Sequence, residues 1–287
     1  MIPDTPVAVL GLGLIGGSVA RALAAQGARV LGHDHNLEHV EAAQREGVLH
    51  GVLGSALDGI ESAEVVLFAL PVDATIRMLG LLAPRLRGAR LVTDVASTKA
   101  SIVHAAEAAG LGAVFCGAHP LTGSHRAGWG ASRASLFADA RVFLCPTSRT
   151  TPETLQRAHA FWRALRAGTE VLDAAEHDRE MAWRSHLPHI VSNALAVTLH
   201  EAGVRRSSLG PGGRDMTRLA GGALSMWAPI VEDNAAEIIV ALRACESRLR
   251  AFRQALERHD EGTTRRMLDD GCQWFDGDPT APPRPPA

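Results

Sequence analysis

The sequence predicts an α/β domain with a doubly wound parallel sheet, followed by an all-α domain. Three observations carry this prediction. In the first half of the chain, short apolar runs rich in Val and Leu alternate with Ala-rich stretches of helical length, which is the pattern of βαβ units. From about Pro152 onward, long helical patterns replace this alternation. The length of 287 residues also exceeds what a single core usually spans.

The composition is that of a folded globular protein and argues against partners that bind through charge alone. Hydrophobic residues make up 46% of the chain, charged residues 21%, and the net charge is −2, so no strong field attracts nucleic acid or an acidic membrane. No apolar run is long enough to cross a membrane, and the N-terminus lacks a signal-peptide pattern. We therefore expect a cytoplasmic protein with no nucleic-acid or membrane partner.

Six apolar runs are predicted to form the strands of the first domain: 7–11, 28–34, 63–71, 89–97, 113–120 and 141–146. These runs are apolar on both faces, as a parallel sheet covered by helices requires. The pattern divides the chain into an α/β domain over 1–150, a helical domain over 151–275, and a disordered Pro-rich tail over 276–287. A last strand is predicted at 169–174.

The turn after the first predicted strand reads G-L-G-L-I-G, with glycines at 11, 13 and 16. In a dinucleotide-binding turn these glycines permit a tight turn, close approach of a pyrophosphate, and close packing of helix on strand. Asp34 follows the second strand at the spacing of a ribose-binding carboxylate, which would repel a 2′-phosphate. The pattern predicts a Rossmann-type domain that binds NAD. Its predicted cofactor-binding residues are Gly11, Leu12, Gly13, Leu14, Ile15, Gly16, Asp34, Pro71 and Thr98.

Polar residues stand at the C-terminal ends of two further predicted strands, which is the edge of the sheet where ligands bind. Ser97, Thr98 and Lys99 close one strand, and His119 closes the next. An imidazole can accept the proton of an alcohol that is oxidised near neutral pH, which makes His119 a candidate base; a capped turn is the other explanation of this His-Pro pair. Lys99 is the only lysine among 29 basic residues, so we expect this position to have a specific role.

An apolar heptad pattern extends over residues 226–256. Val231, Ile238, Cys245 and Phe252 fall seven residues apart, and a second seam interleaves with them. The pattern predicts one long helix packed along another. Burial within the monomer is one explanation, but a helix of about 30 residues spans roughly 45 Å, more than a small helical domain needs. The pattern therefore favours a homodimer through the C-terminal helices.

The stretch S-H-L-P-H at 185–189 places two imidazoles three residues apart at the start of an apolar helical pattern. An H-x-x-H pair can hold zinc, but no third ligand stands at a useful spacing, so we expect no metal. Pro188 is compatible with the first turn of a helix, where no hydrogen bond is lost, or with a kink.

Five separated stretches form an ordered set that covers nearly the whole chain except the tail. They are GLGLIGGS (11–18), DVASTK (94–99), GAHPLTG (117–123), HDREMAWRSHLPHIVSNAL (177–195) and RDMTRLAGGALSMW (214–227). The first is shared by many dehydrogenases, whereas S-H-L-P-H and R-D-x-T-R after H-P-x-x-G are more specific. Together they resemble the prephenate and arogenate dehydrogenases of tyrosine biosynthesis.

The resemblance implies an oxidoreductase that carries out NAD-dependent oxidative decarboxylation of a ring acid. It gives His119 the role of accepting the proton of the substrate hydroxyl. It places Ser97 between that imidazole, the hydroxyl and the nicotinamide, where the serine orients all three. Lys99 lies in the same motif, and we expect it either to support the start of a helix or to hydrogen-bond within the cofactor loop.

By the same resemblance, Ser185 and His189 face the substrate from one side of a helix. Arg218 binds a substrate carboxylate, because a guanidinium pairs with a carboxylate in a fork geometry, and Asp215 orients it. Trp227 is expected either to wall the pocket or to be a buried tryptophan of the helical core. Structural, helix-capping or packing roles are expected for the remaining polar residues of these motifs: His177, Asp178 and His186.

One loop departs from the family pattern. Where many relatives carry an acidic residue soon after H-P-x-x-G, this chain has Ser124, His125 and Arg126. A carboxylate there would favour the ammonium group of arogenate, so its absence favours prephenate. The alternatives are an arogenate dehydrogenase, a different two-domain hydroxy-acid or imine dehydrogenase, and a non-catalytic NAD-sensing protein.

Overall fold

The structure is a computed structural model that describes residues 5–123 and 126–277. Ser124, His125 and most of the predicted tail, residues 278–287, lie outside the described residues. The chain forms two compact units, Met1–Ala235 and Ala236–Ala287. The predicted domain boundaries after residues 150 and 275 rest on sequence pattern and stay predictions.

The strands of the first unit form two sheets. Their bounds are β1 Pro6–Leu10, β2 Arg29–His33, β3 Gly51–Val52, β4 Val65–Phe68, β5 Leu91–Asp94, β6 Cys116–Pro120, β7 Arg141–Pro146 and β8 Gly168–Val171. The first sheet has the order β3-β2-β1-β4-β5, and every pair in it is parallel. The reversal of strand order at β1 confirms the predicted doubly wound fold.

The second sheet differs from the expectation that all strands are parallel. It has the order β6-β7-β8, and β6 runs antiparallel to β7, with His119 opposite Phe143. A parallel return needs a crossover of helical length, but the described part of the β6–β7 connection holds only a 3₁₀ turn at Trp129–Ala131. A bridge between Val92 and Phe115 places β6 beside β5.

Helices cover both faces of the first sheet. The helix bounds are α1 Leu14–Ala24, α2 Leu37–Arg45, α3 Val72–Leu86, α4 Ala100–Ala108, α5 Pro152–Ala164, α6 Ala174–Met181, α7 Leu187–Glu201, α8 Pro211–Met216, α9 Leu224–Asp233, α10 Ala235–Glu257 and α11 Glu261–Asp276. Alternate residues of β1 point to opposite faces. Val7 and Val9 join one buried apolar cluster, whereas Ala8 and Leu10 join the other.

The chain passes from α6 to α7 through a π-helical turn, Ala182–His186. Pro188 lies in the first turn of α7, as one of the two expectations for it requires. Because proline has no backbone N–H, it cannot donate to the preceding turn, and π turns accommodate such interruptions. Ser185 is therefore on the π turn, and His189 is on the helix that follows.

The prediction of one uninterrupted helix over 226–256 is wrong at Asn234, which separates α9 from α10. Asn234 has φ −101° and ψ 23° and is buried. Its side-chain amide donates to the backbone carbonyl of Asp178 at 2.8 Å and to Nδ1 of His186 at 3.0 Å. These side-chain contacts hold the residue outside the helical ladder, and an apolar heptad pattern cannot predict them.

The second unit consists of α10 and α11, joined by a short turn. His259 in this turn has φ +54°, and Asp260 caps α11 by accepting from the backbone N–H of Thr263 at 2.9 Å. Several large apolar side chains of this unit are exposed: Ile239, Val240, Leu249, Leu256, Leu268, Trp274 and Phe275. Among the described residues of the whole chain, no helix is long and apolar enough to span a membrane.

Candidate active site

The glycine-rich turn between β1 and α1 has the geometry of a dinucleotide cradle. Gly11 has φ +96°, and a Cβ there would collide with the carbonyl oxygen of Ala69. A Cβ on Gly16 would collide with the carbonyl oxygen of Gly11, so α1 packs directly on the turn. Gly13, by contrast, has open space where a Cβ would stand. The turn therefore leaves room for a ligand at its middle glycine alone.

Asp34, directly after β2, is tied to this turn. Its carboxylate accepts from the backbone N–H of Leu12 at 2.6 Å and of Asn36 at 2.8 Å, and His39 lies 3.2 Å away. Burial alone would raise the pKa of Asp34, but these hydrogen bonds outweigh burial and lower it below the usual value. The carboxylate is thus ionised at neutral pH and fits the predicted contact with ribose hydroxyls.

The loop after β5 contains a fully buried ion pair between Lys99 and Asp94. Asp94 also accepts from the backbone N–H groups of Ala96 at 2.9 Å and Ala118 at 3.1 Å, which joins this loop to β6. Lys99 stands at the N-terminal end of α4. Two alternative roles were expected for Lys99, a place at a helix start and a hydrogen bond within the loop. The structure shows both.

The same loop carries two predicted site residues. Ser97 is half-buried, and no described residue forms a hydrogen bond with its side chain. Thr98 is fully buried, and its hydroxyl has no hydrogen-bond partner among the described residues. A buried hydroxyl without a partner is costly, so Thr98 is an unsatisfied polar residue in the segment that leads into α4.

His119 lies at the C-terminal end of β6 and contacts a second imidazole. Its Nδ1 is 2.9 Å from Nε2 of His177, and the two rings meet edge to face. His177 is fully buried, and its Nδ1 is 2.8 Å from Oδ1 of Asp178. Asp178 in turn accepts from the first backbone N–H groups of α4, those of Lys99 and Ala100, both at 2.8 Å. Asp178 is thus the helix cap expected from the sequence.

The pKa of His119 lies well below its usual value. The largest cause is burial, which disfavours the charged ring, and the nearby His177, Lys99 and His186 side chains lower it further. His119 is therefore neutral at neutral pH. No described residue forms a hydrogen bond with its Nε2, so this nitrogen is available to a substrate.

His186 meets the ring of Trp227 edge to face, with 6.1 Å between centroids, and also hydrogen-bonds a residue of the α9–α10 junction. Its ring is buried, and Nδ1 accepts from the amide of Asn234 at 3.0 Å. Burial lowers the pKa of His186 to about 4, which agrees with a ring that accepts at Nδ1. The expected packing role of His186 fits this environment.

His189 and Trp227 form a stacked pair. Their ring centroids are 3.4 Å apart and the planes differ by 12°. A Cβ on Gly222 would stand 2.7 Å from His189 and 2.8 Å from Trp227, so only glycine fits beneath the pair. The Nδ1 atom of His189 is buried without a hydrogen-bond partner among the described residues, and burial lowers the pKa of this ring. A neutral donor or acceptor is thus left unpaired beside an indole.

Arg218 lines a cavity of about 650 Å³ between the end of α7 and the loops around α8. Arg205 and Arg206 also line it. No described residue forms a hydrogen bond or ion pair with the side chain of Arg218, Asp215 or Ser185. Neither His119 nor His189 lines this cavity. The structure therefore pairs His119 with His177 and His189 with Trp227, but it does not join Arg218, Asp215 or Ser185 to either pair.

Sequence reasoning missed the contact of His177 with His119 and the bridging role of Asn234. The available signal for His177 is the His-Asp dipeptide itself, because a carboxylate beside an imidazole commonly fixes the tautomer of the ring. Nothing in the sequence indicates that residue 177 reaches residue 119. The described residues contain no group of three or more side chains placed to hold a metal ion.

Two family models match the chain in tandem. Residues 19–171 match the prephenate dehydrogenase nucleotide-binding domain, and residues 173–270 match the prephenate dehydrogenase dimerization domain. The chain belongs to the prephenate dehydrogenase family. The family predicted from the motifs is thus confirmed, and both the nucleotide cradle and His119 lie in the part of this family member that precedes the dimerization domain.

Named relatives agree with this family. The prephenate dehydrogenase of Bacillus subtilis is 31% identical over 282 residues, which cover 95% of this chain and 76% of that protein. A crystal structure of prephenate dehydrogenase from Aquifex aeolicus, in complex with hydroxyphenyl propionate and NAD+, is 26% identical, covers 96% and 99% of the two chains, and has a TM-score of 0.84. Synechocystis arogenate dehydrogenase is 27% identical, covers 95% and 99%, and has a TM-score of 0.81.

Proposed function

We propose that the protein is an NAD-dependent dehydrogenase that converts prephenate to 4-hydroxyphenylpyruvate by oxidative decarboxylation. The observation that carries the proposal is the neutral imidazole of His119, whose Nε2 is available at the end of β6 beside the loop that follows β5. The reaction class comes from the family, whose named relatives act on prephenate or arogenate.

In this proposal His119 accepts the proton of the substrate hydroxyl at Nε2. The carbon that bears the hydroxyl loses its hydride, for which NAD is the acceptor when bound. The bond to the ring carboxylate breaks, carbon dioxide leaves, and the electron pair of the broken bond completes the aromatic ring. Ser97, in the loop beside His119, orients the hydroxyl. The protein therefore accepts one proton at His119 and positions the ring of the substrate.

The cofactor assignment rests on the glycine-rich turn and the groups around it. Gly13 offers open space for a pyrophosphate, and the ionised Asp34 suits ribose hydroxyls and repels a 2′-phosphate. Thr98, which the motif predicts to bind the cofactor, is fully buried in the loop after β5. Pro71, the residue before α3 in the short turn that follows β4, belongs to the same edge of the sheet.

We assign the substrate carboxylates to the cationic and polar groups of the helical segment. Arg218 has no ion-pair partner among the described residues, so its fork of donors remains for a carboxylate. Asp215, three residues before it, is proposed to orient the guanidinium when substrate is bound; in the structure Arg218 contacts it through its backbone N–H, which donates to the carbonyl oxygen of Asp215. His189, whose Nδ1 is buried without a partner among the described residues, and the hydroxyl of Ser185 are the further polar groups of this segment in the proposal, and Trp227 stacks on His189.

The test compares His119→Ala with the unsubstituted enzyme by following NADH formation. We expect kcat to fall by about 10²- to 10⁴-fold, because a positioned base contributes about that much, while the Kd for NAD stays within about twofold. His159→Ala is the matched control, since His159 makes a single hydrogen bond to Thr169 away from the glycine turn. Full turnover in His119→Ala would exclude this residue as the base.

The same assay decides the substrate and cofactor. Prephenate and arogenate are each tested with NAD and with NADP. We expect the highest kcat/KM for prephenate with NAD. A higher kcat/KM for arogenate would replace the substrate while leaving the reaction class intact, and absence of turnover with both ring acids would overturn the proposed function.

The lowered pKa of His119 predicts the pH dependence of this reaction. The base acts only when neutral, so kcat/KM should be constant through neutral pH and fall as the pH drops through the lowered pKa, below the usual value of about 6.5. A pH profile measured with prephenate checks this. An acidic limb centred at or above 6.5 would contradict the description of His119.

We further propose that the protein is a cytoplasmic homodimer that associates through its C-terminal helices. The exposed apolar side chains of the second unit support the dimer, because isolated proteins rarely expose so many large apolar groups on two helices. The description of the matching dimerization-domain family also supports it. Fractionation of the source cells with a cytoplasmic marker enzyme tests the location.

A further inference from the structure

A continuous hydrogen-bonded chain leads from His119 on β6, through His177 and Asp178 on α6, to the start of α4. The three links measure 2.9 Å between the rings, 2.8 Å from His177 to the carboxylate, and 2.8 Å to each of two backbone N–H groups. His177 is enclosed on another side by Phe143, whose ring centroid lies 5.5 Å away. Neither His177 nor Asp178 takes part in the reaction proposed above.

The direction of each hydrogen bond follows from the end at α4. Backbone N–H groups can only donate, so the Asp178 carboxylate accepts from Lys99 and Ala100. Its Oδ1 also faces Nδ1 of His177. A carboxylate that already accepts from the N-terminus of a helix is held as an anion, and an anion requires that Nδ1 of His177 carries a proton and donates it.

One proton then remains between Nε2 of His177 and Nδ1 of His119. If it belonged to His177, that ring would be protonated at both nitrogens and would be a fully enclosed cation. The charge of Asp178 is already engaged by two other donors. If the proton belongs to His119, both rings are neutral and no further charge is buried, which is the less costly arrangement.

We propose that His177 and Asp178 are positioning residues that fix His119 as the Nδ1–H tautomer, so that its Nε2 lone pair faces the substrate hydroxyl. When Nε2 takes the hydroxyl proton, His119 becomes an imidazolium whose Nδ1 proton stays in the hydrogen bond to His177. The Asp178 anion, two links away, then stabilises that charge. This inference rests on the proposed function, in which His119 is the base.

The kinetic test uses two pairs of variants. His177→Leu removes the acceptor for Nδ1–H, and we expect kcat to fall by about 10²- to 10³-fold with KM for both substrates within about threefold. His177→Gln keeps a side-chain carbonyl that can accept from His119, and we expect it to recover at least about tenfold of that loss. Equal loss in both variants, or a loss confined to KM, would overturn the positioning role.

Asp178→Asn tests the other end of the chain. An amide is a weaker acceptor than a carboxylate, so His177 should no longer be held as the Nδ1–H tautomer, and we expect kcat to fall by about 10²-fold or more. Asp173→Asn is the matched control, because Asp173 caps α6 by accepting from Ala175 and Glu176 and contacts no histidine side chain. Equal kcat values in the two variants would overturn the proposal.

A direct measurement of the tautomer separates this inference from the proposed function. Nitrogen-15 NMR of the histidine-labelled, unsubstituted protein distinguishes protonated from bare ring nitrogens, and comparison with His119→Gln assigns the signals. We expect His119 to be protonated at Nδ1 and bare at Nε2 near neutral pH, and Asp178→Asn to populate the opposite tautomer. A proton on Nε2 in the unsubstituted protein would overturn the inference even if prephenate is oxidised. The NMR result stands equally if the enzyme oxidises neither ring acid.

Discussion

At the scale of single residues, the surroundings of Lys99 explain the presence of one lysine in a chain whose other basic side chains are arginine or histidine. Its ammonium group is fully buried against Asp94, which also holds two backbone N–H groups. A guanidinium is larger and planar and carries five donors. Among the described residues, the side chain of Lys99 has one hydrogen-bond acceptor, Asp94, in this enclosed site, which suits a compact ammonium better than five fixed donors.

Removing this ammonium should be costly, because it leaves the carboxylate of Asp94 buried without its counter-charge. We expect Lys99→Met to lower the free energy of unfolding by roughly 3–5 kcal/mol, measured by urea denaturation. The double variant Lys99→Met, Asp94→Asn should recover more than half of that loss, since it removes both charges.

Arg77→Met is the control for this comparison. Arg77 pairs with Asp73 on the surface of α3, where both side chains are more than half exposed. Such a pair contributes little, so we expect a change within about 0.5 kcal/mol. A similar loss in Lys99→Met and Arg77→Met would contradict the buried pair as a main contributor to stability.

The sequence predicts candidate site residues but not the contacts between their side chains. Asp34 and the glycines follow a spacing rule, so both the residues and their geometry could be anticipated. His119 could be named as a base, but its partner His177 is 58 residues away in the chain. Contacts between side chains on different elements depend on packing, which no local pattern encodes.

At the scale of secondary-structure elements, the β1–α1 turn allows the effect of a glycine substitution on NAD affinity to be separated from its effect on folding stability. Gly13→Ala adds a methyl group into open space, so the protein should fold with a midpoint of thermal unfolding within about 2 °C of the unsubstituted value. The same methyl group should raise the Kd for NAD at least about tenfold, because it occupies space needed by the pyrophosphate. Calorimetry measures both quantities.

Two neighbouring changes complete this comparison. Gly16→Ala places a Cβ against the carbonyl oxygen of Gly11, so we expect it to destabilise the fold as well as binding. Gly80→Ala, in open space on α3, should change neither NAD affinity nor, beyond a slight gain, stability. Unaltered NAD affinity in Gly13→Ala would place the pyrophosphate elsewhere.

The type of an element could be predicted where the apolar period and the length of the segment agree. The predicted boundaries were wrong where side-chain contacts interrupt an element. The parallel strands β1, β2, β4 and β5 follow from apolar runs separated by helices. The antiparallel β6–β7 pair and the interruption at Asn234 do not, because both depend on tertiary contacts rather than on period.

At the scale of the whole molecule, the proposed dimer makes a prediction about the second unit. Leu249→Glu and Trp274→Glu place charges on side chains that are 63% and 82% exposed. Because charge is disfavoured in the centre of an interface, we expect both variants to sediment as monomers at concentrations where the unsubstituted protein is a dimer. Analytical ultracentrifugation over a range of concentrations provides the measurement.

Leu81→Glu is the matched control for the dimer test. Leu81 lies on α3 in the first unit and is 72% exposed, so a charge there should leave the association unchanged. Dissociation by Leu81→Glu as well, or a dimer that persists in both C-terminal variants, would remove the C-terminal helices as the interface.

Asp178 binds the first amides of α4 and, through His177, the ring of His119. In the proposed reaction, the basicity of His119 is therefore coupled to the segment that leads from the cofactor loop into α4. Because residues in direct contact commonly couple, we expect the effects of substitutions at residues 97–100 and at residue 178 to be non-additive. Engineering a new specificity into this loop therefore calls for testing both places together.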